Sequence, residues 1–145
     1  MELAYHNRKP RDGESMRYFD SATALAQWCD FLVVTTPGGA GTKHLVNRAV
    51  LEALGPQGFV VNVSRGSVVD TAALAAALGA GTIAGAGLDV YEGEPQPPAG
   101  LINLRNVVLT PHVGGRSPEA VSASVDHFLA NAARYFAGEQ VLTPI

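Results

Sequence analysis

Short, largely apolar runs alternate along this chain with segments whose apolar residues return every three or four positions. The runs are Leu3–Tyr5, Tyr18–Phe19, Phe31–Thr36, Phe59–Ser64, Ile83–Val90 and Val107–Leu109. None shows the strict apolar–polar alternation of a strand with one wet face, so each predicts a buried strand. Helical spacing occupies Ala22–Trp28, Leu45–Leu54 and the alanine-rich stretch Thr71–Gly79, and returns as a long stripe from Val121 through Phe128 to Phe136. Asp20 or Ser21, Asp70 or Thr71, and Ser117 before Pro118 and Glu119 supply capping starts, while Gly55-Pro56, Gly79 and Gly138 supply stops. Strands that alternate with helices in this way predict an α/β fold with a parallel sheet covered on both faces.

In parallel sheets ligands sit beyond the carboxyl ends of the strands, so the residues that follow each run carry the chemical information. They are Arg8, then Thr36 and Pro37, then Arg65, Asp89 and His112. The stretch GFVVNVSRGSVVD, Gly58 to Asp70, places a permanent cation where an apolar strand stops.

Composition narrows the setting. At 145 residues the chain suits one domain with a real core. Apolar residues at 47% against 16% charged exclude a disordered chain. A net charge of −3 gives no overall pull toward nucleic acid or an anionic membrane, so any anion site must be local. Cys29 is the single cysteine, and the first residues lack the pattern of a signal peptide, so a reducing cytoplasm is the expected compartment. The uncharged run Thr71–Leu88 is divided by glycines, and its helical part would span roughly 10 Å of a bilayer core about 30 Å thick. No membrane span is expected. The histidines and the cysteine form no converging ligand set, so no metal is expected either.

Arg65, Glu94 and His112 lie on separate loops that this topology would bring to one edge. A guanidinium fork holds a planar carboxylate through paired charge-assisted hydrogen bonds, which suits a small organic acid. An imidazole exchanges a proton near neutral pH, and a neighbouring carboxylate favours its charged form. Each residue also has a plainer reading: a surface turn cation for Arg65, a solvated acid for Glu94, a loop histidine, and a strand-end cap for Asp89. Hydrolysis by Ser64 or Ser67 with His112 and Asp89 fits poorly, because no G-x-S-x-G elbow is present.

The segments VNVSRGSVVD, AGAGLDVYEGEP and TPHVGG resemble, in order and spacing, the signature blocks of the D-2-hydroxyacid dehydrogenases, especially their glyoxylate/hydroxypyruvate and hydroxyphenylpyruvate reductase branch. The resemblance runs along essentially the whole chain. It implies a Rossmann-type doubly wound parallel sheet and reduction of small 2-keto acids to D-2-hydroxy acids by a nicotinamide cofactor. It makes Arg65 the carboxylate anchor, His112 the acid/base and Glu94 the partner of that histidine, with Glu92 the lesser candidate. Asp89 would contact the nicotinamide carboxamide, with Val63 and Ser64 bordering the ring. His112, Gly114 and Gly115 would also face the cofactor, and Thr36, Pro37 and Thr42 would border the adenosine. A homodimer is the expected assembly.

In that family the strand ending near residue 6 usually closes on an acid that binds the ribose hydroxyls. Here it runs His6-Asn7-Arg8-Lys9-Pro10-Arg11, with cations and no acid. A 2′-phosphate would be welcomed by Asn7, Arg8 and Lys9, so NADP is the expected cofactor, with NAD as the alternative. The resemblance also implies a preceding βα unit with a Gly-rich turn, and a substrate domain, neither of which these residues supply. Gly79–Ala84 imitates the fingerprint but follows a helix and precedes a strand, and Gly38–Lys43 lacks Walker A spacing. The chain thus reads as an incomplete dinucleotide-binding domain over 1–145, whose helix and tail from about 117 would pack back toward the substrate domain. The alternative is a catalytically silent nucleotide-binding or dimerisation module.

Overall fold

The structure, a computed structural model, describes residues 1–144. It divides into two units, Met1–Pro111 and a second beginning at His112.

The first unit holds strands β1 (Ala4–His6) and β2 (Arg17–Phe19), helix α1 (Ala22–Trp28), β3 (Phe31–Val34), α2 (Arg48–Leu54), β4 (Phe59–Asn62), α3 (Thr71–Gly79), β5 (Gly85–Leu88) and β6 (Val107–Leu109). All strand pairings are parallel, as the apolar runs predict. They form two sheets: β1 with β2, and β3-β4-β5-β6 in that order. A groove of about 470 Å³ runs along Met1–Ala4 and Phe31–Val33, between an edge of each sheet.

Local chemistry sets the helix starts. The side chains of Ser21, Asn47 and Asp70 accept hydrogen bonds from the amides of Ala24, Val50 and Ala73, satisfying donors that a first helical turn leaves orphaned. Helix α2 begins at Arg48 rather than at Leu45 because the residues before it are used otherwise. Val46 bridges in parallel to Val69, its amide donating to the Val68 carbonyl and its carbonyl accepting from Asp70. The strand predicted over Ile83–Val90 contracts to Gly85–Leu88, and α3 stops where the glycines require, with Gly81 at φ 68°.

Within the first unit, the described helices pack on one face of the four-stranded sheet. Leu32, Val60, Ala86 and Leu88 are buried with Ala26, Leu51, Leu54, Leu74 and Leu78 in one core. On the opposite face Phe31, Val33, Phe59 and Val108 are exposed, and β5 presents only Gly85 and Gly87. The cause is topological. The order β3-β4-β5 advances in one direction, and right-handed crossovers that advance in one direction place their helices on one face. Phe59 lies over Gly85 and stacks on Phe31, centroids 5.2 Å apart and planes 12° from parallel.

The second unit is dominated by α4 (Pro118–Phe136), capped by Ser117, with Pro118 and Glu119 in its first turn. Its predicted apolar stripe exists, but none of its residues is buried: Phe128 and Phe136 are 70% and 86% exposed. No helix among the described residues is long and apolar enough to cross a membrane.

Candidate functional site

The loops that leave β3, β4 and β5 enclose a cleft of about 900 Å³, lined by Thr35–Gly39, Val63–Ser67 and Tyr91–Gly93. The turn that carries its lining residues Ser64 and Arg65 is built around Asn62, the one polar side chain inside the β4 apolar run and fully buried. Asn62 Oδ1 accepts from the Ser64 amide at 3.1 Å and the Ser64 hydroxyl at 3.0 Å, and Nδ2 donates to the Arg65 carbonyl at 3.0 Å. A buried polar group that satisfies every donor around it specifies a turn rather than merely tolerating one. Here it fixes the backbone from which Arg65 projects.

Arg65 is exposed in this cleft, with Nη1 donating to the Ser64 carbonyl at 2.6 Å. Its stem lies against the loop after β3, where a Cβ on Gly38 would stand 2.9 Å from Arg65 Cγ. A Cβ on Gly66 would meet the carbonyl carbon and oxygen of Tyr91 at 2.2 Å. The loops after β4 and β5 therefore touch backbone to backbone, an approach that only glycine permits.

Glu92 ties these loops together. Its Oε1 lies 2.9 Å from His44 Nε2, and its Oε2 accepts from the Thr71 amide at 3.2 Å. His44, in the left-handed region at φ 52°, donates its amide to the Ser67 carbonyl and places Nδ1 3.8 Å from Asp70. Partial burial works against the ionised Glu92 carboxyl, but the hydrogen bonds from His44 and Thr71 outweigh it and hold the group below its ordinary value of 4.5. A carboxyl lowered in the folded state adds stability above its unfolded value, and that stability is lost as pH falls through the folded value. Glu92→Gln is thus expected to narrow the stability gap between pH 7 and acid. Thermal melts across a pH series check this: parallel wild-type and variant curves down through pH 4.5 would refute it.

The sequence-named residues are distributed as follows. Thr36, Pro37, Val63, Ser64 and Arg65 line the main cleft. Glu94 lies just beyond the lining residue Gly93, exposed, with Oε1 accepting from the Tyr91 amide at 2.8 Å. Asp89 is buried at the end of β5, where its carboxylate accepts from the Thr110 hydroxyl and its amide donates to the Asn62 carbonyl at 3.0 Å. Thr42 braces the glycine loop by donating to the Pro37 carbonyl at 2.8 Å and does not line the cleft. His112, at φ 55°, opens the second unit with Gly114 and Gly115 close behind.

A second cavity, about 410 Å³, lies where the ends of β1 and β3 meet. Tyr5, Asn7 and Arg11 contribute from one side and Thr35–Pro37 from the other; Arg8 and Lys9 stand outside its wall. An apolar pocket with a cationic border suits an adenosine that carries a phosphate, and Arg65 beside a cleft suits an organic anion. A Gly-rich turn between a strand and a long helix, which would cradle a pyrophosphate, is not among the described residues. Sequence reasoning missed His44, Asn62 and Gly66. Only Asn62 had a signal of its own, as a polar residue within an apolar run.

Residues 1–114 match the family described as D-isomer specific 2-hydroxyacid dehydrogenase, NAD binding domain. The chain is 41% identical over 143 residues to a hydroxyphenylpyruvate reductase of Plectranthus scutellarioides, covering 99% of this chain and 46% of that protein. It is 40% identical to a glyoxylate/hydroxypyruvate reductase of Arabidopsis thaliana, with the same coverage. Among solved structures it superposes, with a TM-score of 0.93 and 46% identity, on an NADPH-dependent glyoxylate/hydroxypyruvate reductase of Sinorhizobium meliloti in complex with NADP and malonate, covering 99% of this chain and 45% of that one. The chain thus spans about half the length of the curated relatives it matches. With its parallel strands, its cleft at their carboxyl ends and this match over residues 1–114, the chain belongs to the NAD-binding domain family of the D-isomer specific 2-hydroxyacid dehydrogenases.

Proposed function

We propose that this chain forms the cofactor-binding part of a reductase that converts small 2-keto acids of the glyoxylate and hydroxypyruvate type to D-2-hydroxy acids, with NADP as the preferred cofactor. The observation that carries the reading is Arg65, an exposed fork on a buried, fully bonded turn at the end of β4, within a cleft at the strand ends. Arg65 would hold the substrate carboxylate, since a carboxylate accepts two parallel bonds from a guanidinium. His112 would exchange the proton at the carbonyl oxygen, and Glu94 would set the charge and tautomer of that imidazole. The bound nicotinamide supplies the hydride. Asp89, Val63, Ser64, Gly114 and Gly115 would border that ring, and Thr36, Pro37 and Thr42 the adenosine side. A homodimer in the cytoplasm is part of the same reading, and light scattering on the purified chain tests the dimer.

Preference for NADP follows from the basic loop after β1, where Arg8 and Lys9 are exposed and no acid follows the strand directly. Calorimetric titration should show tighter binding of NADPH than of NADH. Replacing Arg8 and Lys9 with alanine should cost about tenfold per cation for NADPH, the scale of one charge-assisted hydrogen bond, and leave NADH unchanged. Equal affinity for the two cofactors in the wild type would remove the preference. Absence of binding by either, with no NADPH oxidation on adding glyoxylate or hydroxypyruvate, would favour the silent module.

A further inference from the structure

The groove of about 470 Å³ and the cavity of about 410 Å³ lie along one gap. The groove is walled by Met1–Ala4 and by Phe31–Val33, where β1 and β3 start; the cavity is walled by Tyr5–Asn7 and by Val33–Pro37, where they end. β1 and β3 therefore run side by side in the same direction, yet they do not pair. Helix α1 closes one side of the gap, with Leu25 bordering both spaces, Trp28 the groove and Ala22 the cavity.

The hydrogen bonds of β3 show what faces this gap. The carbonyls of Asp30 and Val34 accept from the amides of Phe59 and Val63, at 2.8 and 3.3 Å. Backbone groups of successive strand residues point to opposite edges, so Asp30, Leu32 and Val34 serve the β4 side, and Phe31 and Val33 turn both N–H and C=O toward β1. These groups have no ladder partner. An open edge of this kind is a template for another strand, and here two such edges face each other.

A strand inserted between them needs both of its own edges free. Every described strand of this chain already pairs along at least one edge, so a second copy cannot fill the gap without unpairing itself. In the relatives, about half of the polypeptide lies outside the matched stretch. The walls set the chemistry of the occupant: Leu3, Ala4, Leu25, Trp28 and Leu32 are apolar, and the charged side chains of the groove, Glu2 and Asp30, stand where the strands begin. An uncharged run of β-branched residues with a cation ahead of it meets both demands.

We propose that the gap between β1 and β3 is a strand-acceptor site: it takes one extended, β-branched segment of a separate polypeptide, parallel to both neighbours, and joins the two-stranded and four-stranded sheets into one. Main-chain bonds to Phe31 and Val33 set the register, and the apolar walls select the side chains. This goes beyond the cofactor reading and needs no nucleotide.

The test is titration of the chain with a synthetic peptide of two lysines followed by about six alternating valines and isoleucines, the length of an ordinary strand, read by calorimetry and amide hydrogen exchange. Saturating peptide should slow exchange at Phe31 and Val33 at least about tenfold more than at Leu32 and Val34, whose amides are not free to pair with it. A peptide N-methylated at alternate residues keeps its apolar side chains but loses ladder donors, and should bind at least about tenfold more weakly. Val33→Pro deletes a donor that serves no bond in the free sheet and should weaken the peptide about tenfold, while Val33→Thr, which keeps the amide, should stay within about threefold. The methylated peptide carries the same distinction without any change to the chain. Equal slowing at all four amides, or equal binding of the methylated peptide, would make the gap an apolar patch and overturn the proposal. Failure of the wild type to bind the peptide at about 1 mM overturns it as well. So does a free chain that light scattering reports as a dimer with Phe31 and Val33 already protected, because a second copy then fills the gap.

Discussion

Gly66→Ala is expected to be among the most damaging single substitutions in this chain, although it adds one methyl group. That methyl would stand 2.2 Å from both the carbonyl carbon and oxygen of Tyr91 and 2.6 Å from the Glu92 nitrogen. None of these atoms belongs to a side chain that could swing away. The loop after β4 or the loop after β5 must move, and Tyr91, at 7% exposure, is packed in place. Overpacking of this kind costs about 3 kcal/mol or more, a large part of the 5–15 kcal/mol that holds a typical domain folded. Movement would also pull Glu92 from His44 and Thr71, whose bonds join the loops at this edge. Chemical denaturation of wild type and variant checks the figure. A change below about 1 kcal/mol would show that the loops adjust freely, contrary to the rigid rim described above.

Asn62→Ala should approach the same cost by a different route. The variant leaves the buried Ser64 amide and hydroxyl without their shared acceptor and the Arg65 carbonyl without its donor. An orphaned buried polar group costs about 1–3 kcal/mol, so the loss of this hub should amount to about 3–5 kcal/mol. The functional effect should reach further than the thermal one, because the same bonds fix the backbone under Arg65. Hydrogen exchange provides the direct measurement: the Ser64 amide is expected to lose protection far beyond that of β5 and β6. Equal loss across the whole sheet would mean that Asn62 supports global stability only.

Much of the candidate site was legible in the sequence because it obeys a rule about parallel sheets. The ends of the apolar runs gave Thr36, Pro37 and Arg65, the family resemblance added Val63 and Ser64, and these five line one cleft. Capping chemistry narrowed the helix starts to Asp20 or Ser21, Asp70 or Thr71, and Ser117, of which Ser21, Asp70 and Ser117 cap, because a cap bonds to an amide three residues on, within reach of local sequence. The clamp of Glu92 by His44 and Thr71 could not be read in this way. Its partners lie 48 and 21 residues away in sequence and meet only because the loops after three strands converge.

The sequence by itself determined the order of strands and helices, the parallel α/β class, the caps and the cation at the end of β4, because periodicity, capping and chain breaks are short-range properties. Tertiary structure decided which sheet face is covered, which glycine admits a neighbouring backbone and which acid ties the rim. Those outcomes depend on strand order and on the register of Phe59 with Gly85 and Asn62 with Leu88, which bring together residues whose separation along the chain carries no sign that they will meet.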